Sequence, residues 1–171
     1  MTDLTRTMDQ AVKAMVNREG KYLTFSLDQE DYGISILKVK EIIGMMRVTP
    51  VPQTPEHVKG VINLRGKVIP VIDLRIRFGM SGCEYTERTC IVVVETDSDT
   101  GKLQIGIVVD SVSEVLRIPK ETVEPPPRLG KVEREYVSGV GKLDNRLLIL
   151  LDVDRLMGDA EQFSSAAMAQ A

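Results

Sequence analysis

GVINLRGKVIPVIDLRIR, residues 60–77, holds the reading that decides the fold. Its centre, Val68-Ile69-Pro70-Val71-Ile72, is a short apolar run rich in β-branched residues and too brief for a buried helix, so it reads as a strand. Gly66 takes a positive φ at no steric cost. Arg65-Gly66 therefore reads as a hairpin turn, with Ile62 to Leu64 on the incoming arm. Asp73 ends the strand and is placed to cap a short helix, Leu74 to Phe78, stopped by Gly79.

The same block returns as GVGKLDNRLLILLDVDRLMG, beginning at Gly139, an offset of 79 from Gly60. Val61 falls on Val140, Leu64 on Leu143, Val68 on Leu147, Asp73 on Asp152 and Gly79 on Gly158. Asp144-Asn145 stands where Arg65-Gly66 stood, which is again turn chemistry. Upstream, Gly33-Ile34, Val39, Glu41 and Ile42 match Gly106-Ile107, Val112, Glu114 and Val115 at an offset of 73. Two blocks in one order at nearly one offset indicate an internal duplication; two copies make half-domains rather than a solenoid.

Outward from these blocks, the alternating stretch Lys21 to Leu27 reads as a strand, Asp28 to Asp31 as a turn, and Tyr32 to Ile36 as the next strand. Leu37 to Ile43 carries the Val39/Glu41 pattern, and Gly44, Pro50 and Pro52 punctuate Met45 to Val51, an edge strand or a loop. The second half restarts with the strand Cys90 to Val94, turns through Thr96 to Gly101, and returns as Leu103 to Val109, with Val112 to Leu116 matching the Val39 region. Pro125-Pro126-Pro127 is a stiff connection without backbone donors, after which Tyr136 leads into the second copy of the opening block. Leu4, Met8, Val12 and Met15 have helical spacing, so residues 1–20 read as a short amphipathic helix or as a partly ordered extension. Residues 159–171 carry no apolar periodicity and read as a flexible tail.

Close-spaced strands, turns rich in Gly, Asp and Asn and almost no long helix make the expected class all-β. Two half-domains, the first mainly 21–88 and the second mainly 89–158, suit two small barrels or curled sheets, consecutive or interleaved. Each half is small for a core of its own, so a shared apolar layer between them is expected.

Composition excludes several functions. The 171 residues are 43% apolar and 27% charged with a net charge of −3, ordinary globular values without the basic footprint of a nucleic-acid binder. No apolar run reaches a membrane span, and the N-terminus lacks a signal core. Cys83 and Cys90 have neither redox nor zinc spacing; a disulfide between them is open, and a cytoplasmic chain favours free thiols.

Catalytic inventory is thin. His57 is the single histidine, with no acid or thiol at ligand spacing, and reads as a loop residue in contact with solvent. Asp97-Ser98-Asp99-Thr100-Gly101 mimics a calcium loop, but its closing acidic position falls on Val108, so it reads as a hairpin turn. Gly139 to Lys142 leads into a strand rather than a helix, which rules out a phosphate loop. Glu133-Arg134-Glu135 reads as a solvated charge run. No metal ligand set, cofactor motif or catalytic residue is expected.

Glu41 and Arg65 stand out. Glu41 interrupts an apolar run, and Arg65 occupies a turn tip where Gly or Asn fits more easily; ordinary surface charges are the competing reading. The second copy keeps an acid at Glu114 but has Asp144 opposite Arg65, so the halves diverge in charge where they agree in core pattern. Met45-Met46 would face opposite sides of a strand, leaving one thioether exposed for a partner.

The runs DYGISILKVKEI, GVINLRGKVIPVIDLR and GIVVDSVSEVL, in this order over about residues 20–158, closely resemble the CheW family of bacterial chemotaxis coupling proteins. The resemblance implies two five-stranded SH3-like β-barrel subdomains around a joint hydrophobic layer. It also implies a non-enzymatic, cytoplasmic adaptor that joins receptor arrays through its partners, linking the chemoreceptor cytoplasmic tip to the histidine kinase CheA without inserting into the membrane. Carried over by motif, Ile36, Val39, Glu41, Arg65 and Val115 lie on or near the receptor-binding surface. Met45, Met46 and Val48 would meet the kinase regulatory domain, with a second kinase contact near Leu129. A scaffold in a non-chemotactic array is the alternative, ahead of a small ligand-binding barrel or enzyme.

Overall fold

The computed structural model describes residues 20–82, 84–98, 101–126 and 136–156. The expected N-terminal helix, the 159–171 tail, the charge run at 133–135, Cys83 and Leu129 lie outside these residues. The strands are β1 (Lys21–Leu27), β2 (Glu30–Ser35), β3 (Val39–Gly44), β4 (Val58–Leu64), β5 (Lys67–Asp73), β6 (Cys90–Ser98), β7 (Gly101–Val109), β8 (Ser111–Arg117), β9 (Val123–Glu124), β10 (Val137–Lys142) and β11 (Leu147–Leu151). Two one-turn helices follow β5 and β11: α1 (Leu74–Arg77) and α2 (Val153–Leu156). Asp73 caps α1 as its sequence position implies, its carboxylate accepting from Arg75 N at 3.0 Å. Asp152 does the same for the repeat, accepting from Arg155 N at 3.2 Å.

The fold is all-β, in two sheets. One runs β8-β1-β2-β11-β10-β9 and the other β3-β6-β7-β5-β4. The first has six strands rather than five because the two-residue β9 joins its edge, and neither ladder closes into a barrel. Strands from either side of residue 88 are exchanged between the sheets. β3 leaves the first half to pair with β6, and β8 leaves the second half to pair with β1. Parallel pairings of β11 with β2 and of β5 with β7 complete the exchange. Ile36, expected to end a strand, instead opens a 3-10 turn, Ile36–Lys38, that carries the chain from one sheet to the other, with the Ser35 hydroxyl accepting from Leu37 N. The return crossing is at Asp110, whose carboxylate accepts from Asp28 N at 2.9 Å and from Arg75 Nη1 at 2.6 Å. The β6–β7 hairpin is longer than expected: its ladder extends to Ser98↔Gly101, so Thr96 and Asp97 are strand.

Strand alternation builds three apolar layers. Ile91 and Val93 face a cluster inside their own sheet's curl with Ile62, Ile69, Val71 and Val108. Val92 and Val94 face the other way, into a layer shared with Leu23, Phe25 and Ile34 of the opposite sheet. On β11, Leu148 and Leu150 face inward with Ile118, while Ile149 and Leu151 join the shared layer. The shared layer is the largest of the three and is the joint apolar layer expected from the small size of each half. A row of rings runs through it. Phe25 stacks on Tyr32, Tyr32 on Phe78, and Phe78 lies beside Tyr136, with centroids 6.0, 6.0 and 6.2 Å apart. Phe78 follows α1, so that helix delivers a ring from one sheet's hairpin into the other sheet's core.

Candidate functional site: the two clamped seams

The edge strands β3 and β4 of the five-stranded sheet are held together across its curl at two points. Thr49 forms a bridge to Val61 of β4, donating N to O at 2.8 Å and accepting at 2.9 Å. Gly60, at φ 142°, makes that approach possible; a Cβ there would lie 2.0 Å from Thr49 O. Arg65, at the β4–β5 turn, then reaches back to Glu41 of β3, with Nη1–Oε1 at 2.8 Å and Nη2–Oε2 at 2.6 Å. Such a two-bonded guanidinium–carboxylate pair fixes geometry as well as charge. Arg65 has φ 52° and Gly66 φ 85°, the two positive values a tight two-residue hairpin needs. The left-handed conformation costs a residue with a Cβ about 1–2 kcal/mol, and Asn63 supports the turn by accepting from Gly66 N at 2.9 Å. A bulge between Val39 and Glu41 re-aims the acid relative to the strand. The two residues that stood out separately in the sequence are thus one feature, with the Arg65 side chain 69% exposed and so within reach of a partner.

The six-stranded sheet repeats the device. β9 pairs with β10 through Val140↔Glu124, the counterpart of the Thr49–Val61 bridge. Gly139 takes the place of Gly60, and a Cβ there would meet Val123 Cγ1 at 2.7 Å and Glu124 O at 3.0 Å. The ladder of β8 against β1 shifts register between Val112 and Val115, a stretch that contains an acid, Glu114. The divergence in charge at the aligned turn position, Arg65 against Asp144, is offset by a second base. Arg146, two positions after Asp144, extends Nη2 to Glu114 Oε1 at 3.4 Å and Nη1 to Asp31 Oδ2 at 3.2 Å. Both turns enclose two residues, Leu143 N bonding Arg146 O around Asp144-Asn145 as Leu64 pairs with Lys67 around Arg65-Gly66, so at the offset of 79 Arg146 falls on Lys67 rather than on Arg65. An arginine next to turn residues, opposite an acid shared by both copies, was the available signal.

The remaining sequence-named residues fall in distinct places. Ile36 and Val39 are half-buried against the shared layer. Val115 is 47% exposed on edge strand β8, and its repeat counterpart Ile42 is also exposed, as are the counterparts Val68 and Leu147. Met45, Met46 and Val48 are all half-buried against the inner cluster of the five-stranded sheet. Neither methionine stands out as the exposed one, because residues 45–48 form no strand and so do not alternate. His57 is half-buried, and its carbonyl accepts from Asp73 N at 2.8 Å. Gly139 to Lys142 is strand, part of β10.

Among the described residues no group of three His, Cys, Asp or Glu side chains could hold a metal ion, and Cys90 is a free thiol donating to Arg88 O. No described helix is long and apolar enough to cross a membrane. One carboxylate departs from its ordinary range. Glu95, on β6, is held below it chiefly by a hydrogen bond from Gln104, against the opposing effect of burial and with help from Lys40 and Lys102.

Comparison with known proteins agrees with this fold. The family model described as CheW-like domain matches residues 21–161. The Chemotaxis protein CheW of Klebsiella aerogenes is 43% identical over 142 residues, covering 82% of this chain and 83% of that protein. Protein FrzA of Myxococcus xanthus is 31% identical over 157 residues, covering 90% and 95% respectively. Among solved structures, the scaffolding protein TtCheW of Thermoanaerobacter tengcongensis superposes with a TM-score of 0.70 at 38% identity, over 78% of this chain and 88% of that one. On its repeated motifs, its two exchanged sheets and these matches, the chain belongs to the CheW-like domain family.

Proposed function

We propose that this chain is a non-enzymatic adaptor coupling chemoreceptors to the histidine kinase CheA, acting in the cytoplasm and joining membrane receptor arrays through those partners. Its family membership supports the role, and the Glu41–Arg65 pair at an exposed seam is the observation that carries the site. In this reading the receptor's helical tip docks beside Glu41, Arg65, Val39, Ile36 and Val115. Apolar edge residues take the helix's apolar stripe and the ion pair meets its polar flank. The kinase regulatory domain meets the segment containing Met45, Met46 and Val48, with a further contact at Leu129. Half-buried methionines there give that segment a fixed shape, so the contact is read through its exposed surface, including Arg47.

Arg65→Glu is expected to weaken binding of a soluble receptor-tip fragment by about tenfold or more, or 1.4 kcal/mol. Its melting temperature should stay near the parental value because the pair is exposed. Titration calorimetry giving the parental affinity at unchanged stability would remove the receptor assignment. Arg47→Glu is the matching variant for the kinase edge, since Arg47 is exposed while Met46 packs against the inner cluster. The likeness to FrzA, a relative whose name carries no chemotaxis label, supports a second reading: the same scaffold serving another signalling array. Pull-down of the endogenous kinase and identification of its receptors separates the two.

A further inference from the structure

Arg146, which falls on Lys67 at the offset of 79, makes the second clamp in place of a counterpart to Arg65. At Glu114 the β8–β1 ladder is interrupted by the register shift, and no regular strand pairing holds this residue. Its backbone is held by a side chain instead: the Thr24 hydroxyl donates to Glu114 O at 2.8 Å and accepts from Glu114 N at 3.1 Å. Thr24 is buried and serves the backbone only. The Glu114 carboxylate, 54% exposed, is held among the described residues by Arg146. The second arm of that guanidinium is anchored on Asp31 of β2, two strands away from β8 in the sheet. The planar guanidinium presents separate N–H donors to the two acids, whereas a lysine offers a single point charge. Arg146 therefore ties the β10–β11 turn and β2 to the outermost strand of the six-stranded sheet, beside exposed Val115.

We infer that Arg146 is a positioning residue for partner binding: through Glu114 and Asp31 it holds the edge strand β8, and with it Val115, in the docking-competent register, as Arg65 does for β3. The inference rests on the receptor reading of Val115 given above. It adds that the second seam, whose turn lacks the aligned arginine, is functionally clamped by a different one. Two exposed ionic hydrogen bonds contribute little to overall stability, so the clamp acts on the geometry of one edge rather than on the fold.

The test uses the full chain with Arg146→Ala, Arg146→Lys and Glu114→Gln, a soluble receptor-tip fragment as ligand, and Arg65→Glu as reference. Arg146→Ala should weaken binding by about three- to tenfold, the range of a lost pair of charge-assisted bonds. Amides of residues 111–117 should exchange faster, while those of β3 keep the parental rate. Arg146→Lys should recover only part of the loss, and Glu114→Gln combined with Arg146→Ala should add little to either alone, since coupled partners are not additive. A purely structural role would lower the melting temperature without this coupling in affinity. Parental affinity in Arg146→Ala while Arg65→Glu loses binding would overturn the inference and leave the receptor site standing. Parental affinity in both would instead remove the receptor reading itself. If Arg146→Ala fails to fold, the lysine variant decides: parental affinity and exchange rates in it overturn the clamp.

Discussion

Gly60 shows how much one missing atom can set. With φ 142° and Thr49 O only 2.0 Å from where a Cβ would stand, any side chain forces apart the bridge that joins residue 49 to β4. Gly60→Ala is expected to cost about 2–4 kcal/mol, in the range of severe backbone and packing lesions. Urea unfolding is the measurement, and a midpoint equal to the parental one would show that the seam yields without penalty. Arg65 is the complementary case, a residue with a Cβ kept in the left-handed region by what its guanidinium reaches. Both were in view in the sequence. Gly60 opened the repeated block, and Arg65 sat where Gly or Asn is easier. Their reason was not visible, because it lies in Thr49 and Glu41, which only the curl of the sheet brings near.

At the scale of elements, the β6–β7 hairpin carries its own pH response. Glu95 has a depressed pKa in the folded state, chiefly through Gln104. A lowered carboxylate contributes stability that is fully present above its unfolded value of about 4.3 and fades as pH falls through the lower folded value. The stability difference between the parental chain and Glu95→Gln should therefore be constant near neutral pH and shrink below about pH 4. A difference that grows in acid would contradict the assignment. Most elements were legible from periodicity and turn chemistry: β1, the β4–β5 hairpin, the Asp73 cap and the repeat's hairpin. Ile36–Lys38 was not, since an apolar Ile-Leu pair reads as strand continuation while the chain there must turn to change sheets. Met45 to Val48 misled for a related reason: without a strand there is no alternation, and both methionines settle on one cluster.

Over the whole molecule, the exchange of β3 and β8 makes the halves interdependent. Each sheet needs strands from both sides of residue 88, and the shared layer joins them. Residues 1–88 and 89–171, expressed separately, should each lack cooperative unfolding, and mixing them should restore it, read by circular dichroism melts. A separate half that melts cooperatively would mean the sheets are less mutually dependent than their pairing implies. The paired clamps belong to this scale too. Each curled sheet is held at its seam by a short bridge, a glycine and an arginine on an acid, so the edges proposed to face partners are set by tertiary closure rather than by any one strand.

The sequence by itself determined the class and the duplication, because strand periodicity, turn residues and helix caps are local and repeat with the chain. It also picked out Glu41 and Arg65, because each breaks a local rule. Only the tertiary structure decided which strands share a sheet and that Glu41 meets Arg65. It alone revealed that Arg146 restores the second clamp from outside the aligned position. Those facts depend on curvature and crossover, which bring together residues 24 and 32 positions apart and leave no mark on either one's neighbours.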